Sequence, residues 1–458
     1  MAALPDLLFL PVEVKSRELL SKTLLAQLAA ERGFEVFIGR KGEINALVPH
    51  MRPGVYYGLG TVANFAPFYA DVAACGHSVV VSDEEGLVTF SDRMYLDLKV
   101  SPETLRSVDR LFAWGRENVR VLSDGRPESA AKVRATGHPR FDLLKAPYRR
   151  IYDAEIAEIR AAYRRYVLMC TSFASCNHHI RGLDYLQSLI DKKVLTSDRD
   201  IEMYGRYQRT KAAAFQAFRR AVPLLAASFP EVQFVIRPHP SENGDVYRDA
   251  ADSQSNVHVD SRFSIHPWLL AADATVHHYC TSAVEAYAAG TPGFALRPER
   301  DAGVEKEIPY ACSVSCESPE QLVNRMRPVL EEPARGTGSR TTLAGSYVDY
   351  VANIGDQVAS SAIVDEICQV VQSRVGRGTT IPPAQRRVRR SFTATFRAGA
   401  ARFSPDHTAR KQYLAHKCDA VTPDEIRRCL AGLAGDSQRF ECTHVETNVV
   451  RVRAAHAR

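Results

Sequence analysis

A chain of 458 residues, 45% hydrophobic and 24% charged, has room for two or three domains that each bury a core, and its composition is that of a soluble globular protein. No run of about 18 apolar residues occurs, which excludes a spanning helix. The apolar stretch 1–10 lacks the basic start and small-residue cleavage site of a leader, so it is read as a first buried strand. The net charge of +6 is uneven: residues 374–458 hold 17 Lys and Arg against 7 Asp and Glu, a balance of +10 on a body of −4. A basic C-terminal part of this kind suits contact with an anionic surface, lipid headgroups or a polyanion, and equally suits a solvated tail. Ten cysteines are scattered without any C-x-x-C pair, several inside apolar runs, as buried thiols are in a reducing cytosol.

In chain order, residues 7–14 read as a strand, and 17–32 as a helix with Leu19, Leu20, Leu24, Leu25 and Leu28 at helical spacing and Gly33 as its stop. Strands follow at 34–38, 55–58, 78–82, 110–114 and 132–136, each separated by a helix or turn signal. Strands spaced by helices imply βαβ units and a parallel sheet, so residues 1–150 form a first Rossmann-like lobe. A charged helix at 153–165 opens a second series. It contains strands at 166–171, 232–237, 256–259, 274–280, 293–296 and 311–315, and helices at 208–229, 264–272, 282–289 and 318–332. This second Rossmann-like lobe spans 151–375, and ligands in such sheets sit outside the carboxyl ends of the strands. The expected fold class is therefore α/β, two lobes with a cleft between them. A basic extension, 376–458, follows: a Gly/Pro/Arg-rich linker at 376–391 and one helix at 422–433 with a Thr-Pro-Asp-Glu start. There is no internal repeat.

Four stretches carry polar chemistry. In Val235-Ile-Arg-Pro-His-Pro240, proline on both sides of His239 holds the backbone extended at a strand's carboxyl end, with Arg237 beside it. Downstream, an apolar strand ends at Thr281-Ser282 and a small-residue helix starts at once. The free N–H groups and dipole there favour a phosphate, to which both hydroxyls can donate. A plain N-cap is the competing reading for either hydroxyl. Glu285, one turn in, suits a ribose hydroxyl or merely complements the dipole. Third, Val79-Val-Val-Ser-Asp-Glu-Glu-Gly86 places three acids at the end of a first-lobe strand; adjacent carboxylates raise one another's pKa, and Glu85 is the candidate general acid or base. Fourth, Ser172 and Asn177 follow the first strand of lobe two and are candidates to meet the donor. Cys170 and Cys176 are read as packing residues, since no nearby charge lowers a thiol pKa. His178-His179 and His277-His278 stand too close together to chelate from one strand face, and no metal is expected.

Several of these segments resemble one family. Leu10-Pro-Val-Glu13, Arg17-Glu-Leu, Gly33-Phe34, Ile38-Gly-Arg-Lys41, Asp83-Glu-Glu-Gly-Leu87, Ala113-Trp-Gly115 and Thr136-Gly-His-Pro-Arg-Phe-Asp142 resemble the bacterial surface carbohydrate biosynthesis proteins. Arg237-Pro-His-Pro240 and Thr281-Ser282 through Thr291-Pro292 continue the likeness over residues 5–330. That family is similar to the GT-B β-Kdo transferase domains of capsule and O-antigen (lipopolysaccharide) synthesis. The resemblance implies a CMP-sugar donor whose cytidine phosphate is bound by the His-Pro and Ser/Thr elements, and a first-lobe acid as acid/base. Those transferases carry an aspartate nucleophile near the end of the strand matching 166–171; here the strand runs Leu168-Met-Cys-Thr-Ser172, without a carboxylate.

The function expected from residues and resemblance together is transfer of Kdo or a related acidic sugar from a CMP-activated donor to a glycan or glycolipid acceptor. Arg237, His239, Thr281, Ser282, Glu285, Ser172 and Asn177 would be on the donor and Glu85 catalytic. Glycerol-phosphate transfer from CDP-glycerol and a non-catalytic donor-binding role in an assembly complex are the alternatives. No cofactor, metal or nucleic acid is expected. The expected location is cytoplasmic, peripheral at the inner face of the inner membrane if the basic region docks there.

Overall fold

The computed structural model of the protein describes residues 6–331, 346–373 and 417–455. The linker expected at 376–391 and most of the basic C-terminal charge lie outside them. The chain divides into two compact units: Met1–Gly86, Lys99–Ile151 and Val351–Arg458 form the first, and Leu87–Leu98 and Tyr152–Tyr350 the second.

The first unit is built on an eight-stranded sheet. Strands β1 (Leu7–Val12), β2 (Glu35–Arg40), β3 (Val55–Gly58), β4 (Ser78–Ser82), β5 (Arg110–Ala113) and β6 (Val133–Ala135) run parallel in the order β2-β1-β3-β4-β5-β6. Every residue of β1 and β4 is buried, as expected of parallel strands covered on both faces. A C-terminal hairpin extends this sheet beyond β2. Its strands, Phe440–Glu446 and Val449–Ala454, pair antiparallel with each other, and the second pairs antiparallel with β2. Gly39 permits that approach, because a side chain there would strike the Asn448 carbonyl oxygen.

The expected boundaries at 151–375 and 376–458 are corrected here. Helix Ala359–Ser373 belongs to the first unit, where Ile363, Val364, Ile367 and Val370 share a core with β1 and β2. The expected C-terminal helix is present as Pro423–Ala434, capped by Thr422 Oγ1 accepting from Glu425 N at 3.3 Å. It is no separate appendage: Ile426 and Leu430 enter the same core.

In the second unit, strands β7 (Tyr166–Cys170), β8 (Gln233–Arg237), β9 (Val257–Val259), β10 (Ala274–His277), β11 (Gly293–Leu296) and β12 (Val314–Cys316) form an all-parallel sheet in the order β12-β11-β10-β7-β8-β9. Taken in chain order within the unit this is 3-2-1-4-5-6, the doubly wound arrangement, whose strand order reverses between β7 and β10. The helix expected from 208 begins earlier, at Asp198, because Ser197 Oγ accepts from Asp200 N at 3.1 Å and caps it; it runs to Ser228. Its apolar face, including Ala214, Phe215, Phe218 and Leu225, packs on β7, β8 and β10. The strand expected at 311–315 starts later, at Val314, because Pro309 opens a short helix, Ile308–Ala311.

Candidate functional site

The carboxyl ends of β7, β8 and β10 bring together four of the residues singled out from the sequence: Ser172, His239, Thr281 and Ser282. After β8, His239 sits exposed, its backbone N–H donating to Thr171 Oγ1 at 3.0 Å. Its Nδ1 accepts from Ser241 N at 3.2 Å, so the proton of the neutral ring is on Nε2. After β10, helix Thr281–Ala289 starts without any side-chain cap. The N-cap position is Cys280, which makes no capping bond, so the plain N-cap reading of Thr281 and Ser282 does not hold. No acidic residue occupies the first turn. Ser282 Oγ is buried and makes no hydrogen bond of good geometry; beside it is the Cys170 thiol, a weak partner, which burial pushes up to about 12. Gly290 closes the helix in the left-handed region. A helix start with uncapped N–H groups and a buried hydroxyl beside only a weak thiol partner, at the strand-order switch, is built to receive an anion.

The other expected donor residues, and the Ser172 hydroxyl itself, are engaged in contacts within the protein. The Arg237 guanidinium donates to the carbonyls of Arg262 and Phe263, at 2.8 and 2.6 Å, and so braces that loop. Asn177 Nδ2 donates to Asn243 O at 3.1 Å, pinning one loop to another. Ser172 Oγ donates to His278 O at 2.6 Å, which joins the end of β7 to the end of β10 and commits its proton. Glu285 is fully buried and faces His266 Nε2 at 3.3 Å, while His266 Nδ1 meets Tyr152 OH at 3.0 Å. It belongs to a buried relay behind the helix.

Glu85 lies in the first unit, after β4. The raised pKa expected of it is not found. Partial desolvation favours its neutral form, although the side chain is more than half exposed, and Lys99 and Arg17, each 3.2 Å away, outweigh that and hold it down at about 2. It is an ionised carboxylate at neutral pH. Its neighbour Glu84 is the buried one, 3.3 Å from both Lys22 Nζ and His138 Nε2; against the pull of burial, the Lys22 ammonium foremost holds it well below the usual range. The Gly-His-Pro-Arg-Phe-Asp stretch is structural in this unit. Gly137 has φ +73° with its Cα against the Ala352 carbonyl, His138 stacks on Trp114 at 4.2 Å, and Asp142 caps helix Ala359–Ser373.

Sequence reasoning missed a buried charged group around β10. Lys211, on the Asp198–Ser228 helix, is 1% exposed, and its Nζ donates to Ser172 Oγ at 2.8 Å. Glu305 is equally buried; it accepts from Tyr310 OH at 2.8 Å and faces Arg297 at 3.3 Å and His278 Nε2 at 3.6 Å. Burial pushes Glu305 up, and drives His277 down to about 3. One signal was legible: Lys211 falls on the apolar stripe with Tyr207, Ala214 and Phe218, where a lysine needs a reason. Among the described residues no group of three or more His, Cys, Asp and Glu side chains is arranged to hold a metal, and no helix is long and apolar enough to cross a membrane.

No protein-family model matches the chain, and no curated protein matches it. Solved structures do. A protein assigned as a UDP-N-acetylglucosamine 2-epimerase from Listeria monocytogenes is similar at TM-score 0.50 and 14% identity, over 82% of this chain and 98% of the other. The S. aureus MnaA–UDP co-structure is similar at 0.50 and 12%, over 82% and 100%. The wall teichoic acid polymerase TagF, soaked with CDPG, is similar at 0.51 and 11%, over 82% and 90%. At these identities the likeness is one of fold: the chain has the GT-B type of architecture, two Rossmann-like α/β units.

Proposed function

We propose that the chain is an enzyme of bacterial surface-glycan assembly that binds a nucleotide-activated donor on its second unit. The observation that carries this reading is the uncapped start of helix Thr281–Ala289, with the buried Ser282 hydroxyl beside only a weak thiol partner, at the β7/β10 switch. Fixed N–H groups and hydroxyls there would neutralise a leaving phosphate without reorganising. His239 would add its Nε2–H from the end of β8.

Within that class, the chain would transfer Kdo or a related acidic sugar from a CMP-activated donor to a glycan or glycolipid. The anomeric carbon–oxygen bond to the phosphate breaks, and CMP keeps the electron pair. The acceptor oxygen forms the new bond, and its proton passes to a base. Glu85 is ionised at neutral pH and cannot donate a proton, and with Lys99 and Arg17 holding it down at about 2 it is a weak base for taking the acceptor's proton. Because β7 runs into Cys170-Thr171-Ser172 without a carboxylate, the step is written as a single displacement. A second reading, transfer from a CDP-linked donor such as CDP-glycerol, is favoured by the similarity to TagF, whose structure was soaked with CDPG.

Calorimetry with CMP, CDP and UDP separates these readings. Preference for CMP supports the first and for CDP the second, while nucleotide binding without turnover would leave a donor-binding component. His239→Ala should weaken donor binding at least tenfold; wild-type affinity in that variant removes the assignment.

A further inference from the structure

Lys211 is a buried cation with no carboxylate in direct contact among the described residues; Glu305 and Glu242 act on it from farther away. Its Nζ donates to Ser172 Oγ at 2.8 Å and lies 3.4 and 3.3 Å from the carbonyl oxygens of His278 and Tyr279. Phe173, Tyr207 and Tyr279 surround it, their ring centroids 6.0, 5.6 and 5.5 Å away. Among the described residues it forms no ion pair. A buried ammonium whose hydrogen bonds all go to neutral acceptors is costly.

Its position says where. Tyr279, one of its partners, has φ +44°, a conformation a tyrosine rarely adopts. The next residue, Cys280, is the N-cap of helix Thr281–Ala289. Lys211 therefore grips both peptides of the strained turn that aims the helix start, and through Ser172 it ties that turn to β7. The independent sign of a ligand is Ser282 Oγ, 6% exposed at the same helix start, which makes no hydrogen bond of good geometry and has the Cys170 thiol, a weak partner, beside it.

We propose that Lys211 is the positioning residue of an oxyanion subsite at the β7/β10 switch, which takes the phosphate or diphosphate of the donor. Its charge supplies the field, and its hydrogen bonds hold the 278–279 turn so that the helix start and Ser282 face the anion. The inference rests on the nucleotide-donor reading for the identity of the ligand, but the anion subsite stands apart from the base. Burial lowers the Lys211 ammonium to about 8, against the opposing pull of Cys280, Glu305, Glu242 and Cys176, so its charge is lost within a practical pH range. The other groups facing it are His277, His278, Arg297, Tyr207 and Tyr279. The two histidines are held neutral by burial, and the tyrosines are raised far above this range.

The test is calorimetry of the full chain with inorganic pyrophosphate, CMP and CDP at pH 7 and pH 9.5, on wild type and Lys211→Met. Pyrophosphate should bind wild type at pH 7 and on the order of thirtyfold more weakly at pH 9.5, as the ammonium empties. Lys211→Met should bind weakly at both, with its near-ultraviolet dichroism confirming the fold. If that variant does not fold, the wild-type pH profile decides alone. A flat wild-type profile, equal affinity in Lys211→Met, or no pyrophosphate binding overturns the subsite. Pyrophosphate binding as expected without binding of either cytidine nucleotide leaves the subsite standing and removes the donor reading; nucleotide binding unchanged in Lys211→Met does the reverse.

Discussion

Replacing Asp142 by alanine should destabilise the first unit without touching the second. The carboxylate is fully buried and accepts four hydrogen bonds: from Ala359 N at 2.9 Å, Ser360 N at 2.8 Å, Ser360 Oγ at 2.8 Å and Lys145 Nζ at 2.9 Å. Two of these satisfy donors at the start of helix Ala359–Ser373, which the adjacent dipole favours further. An ordinary exposed cap is worth about 1 kcal/mol. Here truncation also leaves buried N–H groups without a partner and strips from Lys145 the only carboxylate it meets among the described residues, where it keeps the carbonyls of Asn353 and Gln357. Charge-assisted bonds count for about 1.5–3 kcal/mol each but do not add, so about 3–5 kcal/mol is expected in total. Asp142→Asn keeps the shape and one acceptor, and should lose about half as much. Urea unfolding followed by two probes measures this, and hydrogen exchange at the amides of Ala359 and Ser360 localises it. A loss below about 1 kcal/mol, or unchanged protection of those two amides, would refute the reasoning. The motif containing Asp142 would then need a role beyond architecture.

Three further outcomes follow from the same contacts. Ser282→Ala should leave stability unchanged or raise it by up to about 1 kcal/mol, because the hydroxyl it removes is buried beside only a weak thiol partner, while donor affinity falls; thermal unfolding beside calorimetry checks both. Relative to Lys211→Met, wild type should gain about 3 kcal/mol as pH rises from about 8 to about 10.5, because over that window the unfolded lysine holds a proton that the folded one has lost; a difference curve with no slope rules this out. Glu85, with its pKa lowered, contributes stability above about pH 4.5 that disappears as pH falls towards 2. Its side chain is 57% exposed and screened by water, so Glu85→Gln should flatten acid unfolding by less than about 1 kcal/mol.

Much of the architecture is local and was readable. Period-two and continuous apolar runs mark β1, β4, β7 and β8 to within a residue or two, and the small-residue helix after Cys280 begins one residue before the expected start, at Thr281. Those features depend on backbone preference and on neighbours up to four positions away, which a sequence displays directly. The environment of a charge does not. Glu85 meets Lys99 14 positions away and Arg17 68 positions away, so its acidity was opposite to what adjacent carboxylates suggest. Asp142 caps a helix 217 positions on, which moved residues 359–373 and 417–455 into the first unit. Arg237 spends its guanidinium on two carbonyls of a distant loop, and Lys211 reaches the ends of β7 and β10 from another helix. Only the chain's long-range closure decides which partner a polar group meets, and at this site that partner decides what the group can do.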